Sequence, residues 1–326
     1  MNNADAIAVI GAGSWGTALT IQLARAGQAP TLWGREPEVI KTLREQRCNS
    51  VFLPNVPLPD AVQIEANLSE LVKSHRDLLV CVPSHVFRSV LETIRGDLQA
   101  GARIVWATKG FELSTGRLPH QVAHETLGKD VPLAVVSGPT FAREVGLGLP
   151  TAMTVAATDE AFADELAERF SDTNFRAYTS TDMIGVEVGG AVKNVLAIAT
   201  GMSDGLGFGA NTRVALITRG LAEMTRLGVA LGASGDTFSG LSGMGDLVLT
   251  CTDDQSRNRR MGLALAAGKS VADTATEIGQ VVEGVKAASA VRTVAQQLGV
   301  DMPICEQVYQ ILYEGAKPRS AVTALM

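Results

Sequence analysis

At 326 residues, 46% of them hydrophobic and 19% charged, the chain has an ordinary globular composition and enough length for two cores. Its formal net charge of -6 excludes a general nucleic-acid-binding surface, so any anion site must be local. Its four cysteines, Cys48, Cys81, Cys251 and Cys305, have no paired spacing, which argues against disulfides or a zinc cluster and fits a reducing, cytoplasmic compartment. The start MNNADAIAVIG lacks a basic leader, and no apolar run approaches the roughly 18 residues that span a bilayer, so neither export nor membrane insertion is expected. His120 and His124 have helical i, i+4 spacing, but no carboxylate or cysteine motif completes a metal site; a solvated helix face is expected.

The first half alternates short apolar runs with helical patterns, the signature of βαβ units and a parallel sheet. The strand Ala6 to Ile10 leads into Gly11-Ala12-Gly13-Ser14-Trp15-Gly16 and a helical run from Thr17 to Ala26. Between strand and helix this motif reads mechanically: Gly11 turns the chain, Gly13 lets backbone approach a pyrophosphate, Gly16 packs helix on strand, and the helix N-terminus receives the anion. A glycine-rich turn without a ligand is the alternative. Pro30 to Trp33 forms the second strand, and where an acidic residue would bind the ribose of NAD the chain has Arg35 beside Glu36. An arginine there can pair with a 2′-phosphate, which favours NADPH while leaving NADH open; a solvated surface arginine is the competing reading.

Strands follow at Leu78 to Val82, Arg103 to Ala107, Leu133 to Ser137 and Thr151 to Ala157, with capped helix starts at Ser84 and at Thr158 to Glu160. Lys109 lies just past one strand's C-terminal end, where open α/β folds bind ligands. Ser137-Gly138-Pro139-Thr140-Phe141-Ala142 offers backbone N–H groups and a hydroxyl at a helix start, suited to an anion or to an ordinary capped turn. After Thr181 helical periodicity dominates, which divides the chain into residues 1–181 and residues 182–326.

In the second part, Val186 to Ser203 reads as a helix carrying Val186, Gly190, Lys193, Ala197, Thr200 and Asp204 on one face, with Lys193 among very small residues. Glycine costs about 1 kcal/mol in a helix interior, so Gly189, Gly190 and Gly201 need a reason such as close backbone or ligand approach. Clearance for a substrate is the favoured one; tight packing with Lys193 snorkelling to solvent is the other. Helical runs follow at Leu216 to Leu227, Met261 to Ala267, Ala287 to Leu298 and Glu306 to Tyr313. Asp246 ends a mobile-looking glycine loop that starts at Gly240. Ser256-Arg257-Asn258 at a helix start combines hydroxyl, guanidinium, amide and helix N–H groups suited to phosphate, with Arg259 and Arg260 read as solvated.

Together the segments GAGSWGTAL, VPSH, WATKG, SGPTFA, GMGDLVLTC, QSRNRR and GQVVEG, with Gly190 to Asn211, resemble in order the motifs of bacterial NAD(P)-dependent glycerol-3-phosphate dehydrogenases over essentially the full length. The resemblance implies a Rossmann-type doubly wound NAD(P)-binding domain followed by an all-helical substrate and catalytic domain like that of 6-phosphogluconate dehydrogenase. It implies reversible reduction of dihydroxyacetone phosphate to sn-glycerol 3-phosphate for glycerophospholipid synthesis, a phosphate-bearing small-molecule substrate, and a homodimer. By the same resemblance Lys193 is the general acid/base, and Lys109, Gly138, Thr140, Lys193, Asp246, Ser256, Arg257 and Asn258 contact the substrate. Gly11, Gly13 and Gly16 from the motif, with Ser14, Trp15, Arg35, Lys109, Ala142, Arg257, Val281 and Glu283, would hold the dinucleotide. Two rivals stay open: a β-hydroxyacid dehydrogenase of similar architecture, and a non-catalytic dinucleotide sensor.

Overall fold

Continuous apolar runs such as Ile7–Ile10 and Leu133–Ser137 are buried along their whole length, as expected of strands covered on both faces. The computed structural model describes residues 6–325, and the expectation drawn from the start MNNADAIAVIG concerns residues that lie partly outside that range. Chain contacts divide it into two units, one running to Thr108 and resuming over Pro119–Met183, the other comprising Lys109–Leu118 and the chain from Ile184 onward. Lys109 thus groups with the helical unit, although it lies within residues 1–181.

In the first unit strands and helices alternate as anticipated, except for three successive strands between the second and third helices. They are β1 (Ile7–Ile10), α1 (Ser14–Arg25), β2 (Thr31–Trp33), α2 (Pro37–Gln46), β3 (Cys48–Asn49), β4 (Leu53–Pro57), β5 (Gln63–Glu65), α3 (Leu68–Ser74), β6 (Asp77–Val80) and α4 (Ser84–Ile94). The unit continues with β7 (Arg103–Trp106), α5 (Pro119–Leu127), β8 (Leu133–Ser137), α6 (Ala142–Leu147), β9 (Thr151–Ala157), α7 (Glu160–Phe170) and β10 (Phe175–Ser180). Eight strands form one sheet in the order β10-β9-β8-β7-β6-β1-β2-β5, parallel at every step except β8 to β9. The order reverses beside β1, which pairs with β2 on one side and β6 on the other, so the glycine loop leaves the sheet at its switch point. The ribbon β3–β4 and the strands β5 and β10 are additional to the strands expected from the sequence. In β10 only Phe175 is buried, so this edge strand has no apolar run to reveal it.

The second unit is helical: α8 (Met183–Gly205), α9 (Gly209–Ala230), α10 (Asp246–Thr252), α11 (Arg257–Ala266), α12 (Val271–Ile278), α13 (Glu283–Leu298), α14 (Pro303–Tyr313) and α15 (Pro318–Leu325). Its axis is α8, longer at both ends than the periodicity indicated. Val188, Val192, Val195, Ile198 and Met202 are all buried there, as in a helix surrounded by others. By length and composition α8 could cross a bilayer, with a mean hydropathy of 1.3, which corrects the reading that no run approaches that size. Within this fold 94% of its most apolar stretch is buried, as in the core helix of a water-exposed fold.

Candidate active site

In the first unit, Gly11 has φ +122°, and an added Cβ would lie 2.4 Å from the Cys81 carbonyl oxygen, so only glycine turns the chain here. Gly16 is as constrained, its Cβ position lying 1.9 Å from the Gly11 oxygen, so α1 starts directly against the strand it follows. Gly13 differs. It is extended at the N-cap of α1 with φ -74° and ψ -178°, and a Cβ there would meet nothing within 4 Å. The first-turn N–H groups of α1 therefore receive no side-chain cap from Gly13, and the space beside that glycine is open, an arrangement suited to an anion. The buried indole nitrogen of Trp15 also has no partner among the described residues. Open backbone, helix N-terminus and unused donor fit the pyrophosphate of a dinucleotide.

Arg35 follows β2 with its side chain 80% exposed and bonds Glu36 at 2.9 Å. Its guanidinium remains accessible to a ligand, held by the carboxylate that the sequence left as its alternative. Gly138 follows β8 with φ +155°, its Cβ position 3.0 Å from the Met153 Cα, and Thr140 Oγ1 donates to the Gly138 carbonyl at 3.2 Å. Ala142 opens α6.

In the second unit, Lys109, Lys193 and Asp246 come together. Lys193 Nζ donates to Asp246 Oδ1 at 2.5 Å, and Lys109 Nζ donates to Asp246 Oδ2 at 2.8 Å. Asp246 is 1% exposed and Lys193 7%, so one carboxylate is shared by two ammonium groups away from bulk water. Burial, helped by the Lys109 charge and opposed by Asp246, pulls the Lys193 pKa down to about 8. Burial pushes Asp246 upward, but the two lysines outweigh it and keep the carboxyl below its ordinary range. Thr250, one turn beyond Asp246, accepts from Lys193 Nζ at 3.2 Å while donating to the Asp246 carbonyl at 2.6 Å. It was not anticipated, although its i+4 spacing from Asp246 puts it on the same helical face.

Asp246 does not sit on a mobile loop. Residues Leu241–Gly245 form a π-helical turn that runs straight into α10. The cause is Gly189: a Cβ there would lie 2.2 Å from the Ser242 carbonyl oxygen, so α8 and this turn touch backbone to backbone. Gly189 precedes Lys193 by four residues and Ser242 precedes Asp246 by four, so the same approach repeated one turn later delivers lysine to carboxylate. Gly201 likewise accommodates the Arg259 carbonyl, at 2.2 Å from its Cβ position. At Gly189 and Gly201 the small residues thus serve helix packing, which corrects their reading as substrate clearance.

Ser256 caps α11 by accepting from Arg259 N at 3.2 Å, and Arg257 is the first helical residue. Arg259 is not solvated as expected but 8% exposed, bonded to Asp204 and, at 2.9 Å, to Asp254, because it ties α11 to the end of α8. Asn258 is buried. Its Nδ2 donates to Asn194 Oδ1 at 2.8 Å and its Oδ1 accepts from Gly284 N at 2.9 Å, while Asn194 Nδ2 donates to Glu283 Oε2 at 3.2 Å. Asn194, which sequence reasoning missed, links two residues it selected. Val281 is 44% exposed, two residues before α13.

An ammonium group that can hold or release a proton near neutral pH, oriented by a buried carboxylate, is suited to proton transfer at a carbonyl or hydroxyl oxygen. Residues 6–163 match the family described as NAD-dependent glycerol-3-phosphate dehydrogenase N-terminus, and residues 182–323 match its C-terminus counterpart. The chain is 57% identical over 328 residues to a glycerol-3-phosphate dehydrogenase (NAD(P)+) of Pectobacterium carotovorum, spanning 100% of this chain and 97% of that one. It resembles the crystal structure of glycerol-3-phosphate dehydrogenase from Coxiella burnetii at a TM-score of 0.96 and 45% identity, over 99% of each chain. A ketopantoate reductase from Ralstonia eutropha, at a TM-score of 0.59 and 16% identity over 98% of each chain, shares the fold alone.

Proposed function

The chain belongs to the NAD-dependent glycerol-3-phosphate dehydrogenase family, and on that premise we propose that Lys193 is its general acid/base and NADPH its favoured reductant. The protein is an NAD(P)-dependent oxidoreductase that interconverts dihydroxyacetone phosphate and sn-glycerol 3-phosphate, consistent with supplying glycerophospholipid synthesis. The observation that carries the assignment of roles is the Asp246 carboxylate shared by Lys109 and Lys193.

A nicotinamide, when bound, would supply or accept the hydride. As the carbonyl oxygen of the substrate gains negative charge, protonated Lys193 stabilises it and passes its Nζ proton to that oxygen; in the oxidation, neutral Lys193 takes the hydroxyl proton. Asp246 orients the ammonium, Thr250 holds a second of its protons, and Lys109 adds positive charge for the substrate and cofactor. Ser256, Arg257 and Asn258 anchor the phosphate at the start of α11, with Gly138 and Thr140 contributing further substrate contacts. Gly11, Gly13, Ser14, Trp15 and Gly16 receive the pyrophosphate, with Arg35, Lys109, Ala142, Arg257, Val281 and Glu283 completing the dinucleotide site. Residues 1–181 thereby act as the nucleotide-binding part and residues 182–326 as the substrate and catalytic part. A cytoplasmic protein without nucleic-acid binding or membrane insertion completes the reading, supported by the acidic net charge and the absence of paired cysteine spacing, and the homodimer is carried by the family resemblance.

Losing a charge-assisted bond to phosphate costs about 1.5–3 kcal/mol, so Arg257→Ala is expected to raise the KM for dihydroxyacetone phosphate roughly 10- to 100-fold. Steady-state kinetics at saturating NADPH measures this, and an unchanged KM would remove Arg257 as the phosphate anchor. Arg35→Ala is expected to reduce the kcat/KM ratio of NADPH over NADH by about tenfold, the size of one charge-assisted contact to a 2′-phosphate. Parallel assays with the two reduced cofactors read it directly. A preference identical to the parent's would eliminate the role of Arg35.

A further inference from the structure

The glycine loop is held by a side chain the mechanism does not use. Asn49, at the end of β3, is 1% exposed, and its Nδ2 donates both to the Ala12 carbonyl at 2.9 Å and to Thr17 Oγ1 at 2.8 Å. Its Oδ1 accepts from Phe52 N at 3.1 Å, and the Phe52 carbonyl in turn accepts from Ser14 Oγ at 2.7 Å. One buried amide therefore ties three pieces together: the residue between the first two glycines, the first turn of α1, and the ribbon that grips Ser14. Without it the Ala12 carbonyl would lack this partner, and a peptide between two glycines has little steric reason to keep one orientation. If that peptide rotates, the N–H groups leading into α1 lose their common aim.

We infer that Asn49 is a positioning residue for dinucleotide binding, acting through Ala12 and Thr17 to keep the first-turn N–H groups of α1 directed at the pyrophosphate. The inference rests on the reading of the glycine loop as the dinucleotide site. Asn49 is needed as a donor, so its near-isosteric carboxylate is the informative replacement: Asn49→Asp keeps the shape and the bond from Phe52 N but turns an acceptor toward the Ala12 carbonyl.

The test is equilibrium titration of NADPH by calorimetry at pH 7.5, with a thermal melt of each variant so that affinity is measured well below its Tm. Asn49→Asp is expected to raise the Kd at least about tenfold, the size of one lost buried hydrogen bond, while the KM for dihydroxyacetone phosphate and kcat at saturating NADPH stay within about twofold. A merely structural residue would lower Tm without moving the Kd measured on folded protein. Gly13→Val serves as the control, because the extended backbone and empty surroundings of Gly13 accept a side chain that would occupy the anion's approach. A parent-like Kd in Asn49→Asp with binding lost in Gly13→Val would overturn the role of Asn49 alone; parent-like values in both would overturn the loop as the dinucleotide site. Should Asn49→Asp fail to fold, Thr17→Val removes one acceptor at constant shape. A several-fold rise in its Kd is then expected, and a parent-like value would refute the proposal.

Discussion

Lys193→Met is expected to lower kcat for dihydroxyacetone phosphate reduction by about 10,000-fold while leaving the NADPH Kd within about twofold. General acid catalysis contributes roughly 100- to 10,000-fold and electrostatic stabilisation of a developing oxyanion roughly 100- to 1,000-fold. Because one ammonium supplies both, the effects overlap instead of multiplying. Methionine nearly matches the lysine stem and suits a site that is 7% exposed, and Asp246 keeps Lys109 as its partner, so the fold should survive. Single-turnover hydride transfer with calorimetric NADPH binding is the measurement. Turnover within about tenfold of the parent would remove Lys193 as the acid.

Asp246→Asn is expected to do comparable damage by another route. Its carboxylate is the main influence raising the Lys193 pKa against burial, and its removal leaves two lysines facing each other with no counter-charge. Lys193 then deprotonates further below about 8, so little of the proton-bearing form remains at neutral pH. Reduction should fall about 100- to 1,000-fold at pH 7. Breaking a buried ion pair costs about 3–5 kcal/mol, an upper bound here because the lysine can shed its proton, so a lowered Tm should accompany the loss.

The pH profile distinguishes this from simple unfolding. In the parent, kcat/KM for reduction should be level below about 8 and fall above it, because Lys193 must carry a proton; oxidation should show the mirror image. In Asp246→Asn both limbs should move to lower pH. A profile that keeps the parent's midpoint at reduced amplitude would show that the carboxylate does not tune Lys193. The stability linkage has a definite sign: the folded-state pKa of Lys193 lies below the unfolded one, so between about 8 and 10.5 the unfolded chain binds the extra proton and Lys193's contribution to stability rises with pH.

Much of this was legible in one dimension. The buried parallel strands announced themselves as uninterrupted apolar runs, and the glycine motif could be placed because it stood between such a run and a helix. Lys193 was visible because a charged residue interrupts an otherwise apolar and small helical stretch, and Ser256-Arg257-Asn258 because the residue types that cap a helix are also suited to phosphate. These are local signals, set by side-chain period and by the conformational demands of glycine and capping residues.

What tertiary structure alone decided is which residues meet. Nothing local says that the Gly189 backbone receives the Ser242 carbonyl, yet that contact turns an apparent glycine loop into the start of α10 and brings Asp246 to Lys193. The same holds for Lys109, 84 positions before Lys193 by their numbers and grouped with the helical unit only in space. Asn194, Thr250 and Asn49 escaped because amide and hydroxyl side chains carry no period or charge pattern; their use depends on a partner that folding supplies. The sequence determined most of the elements and the two ligand chemistries, and singled out Lys109 and, as the acid, Lys193. Backbone-to-backbone packing at glycines decided the pairing that lowers that lysine's pKa, because a pKa depends on burial and neighbouring charge, and both exist only once distant segments are packed.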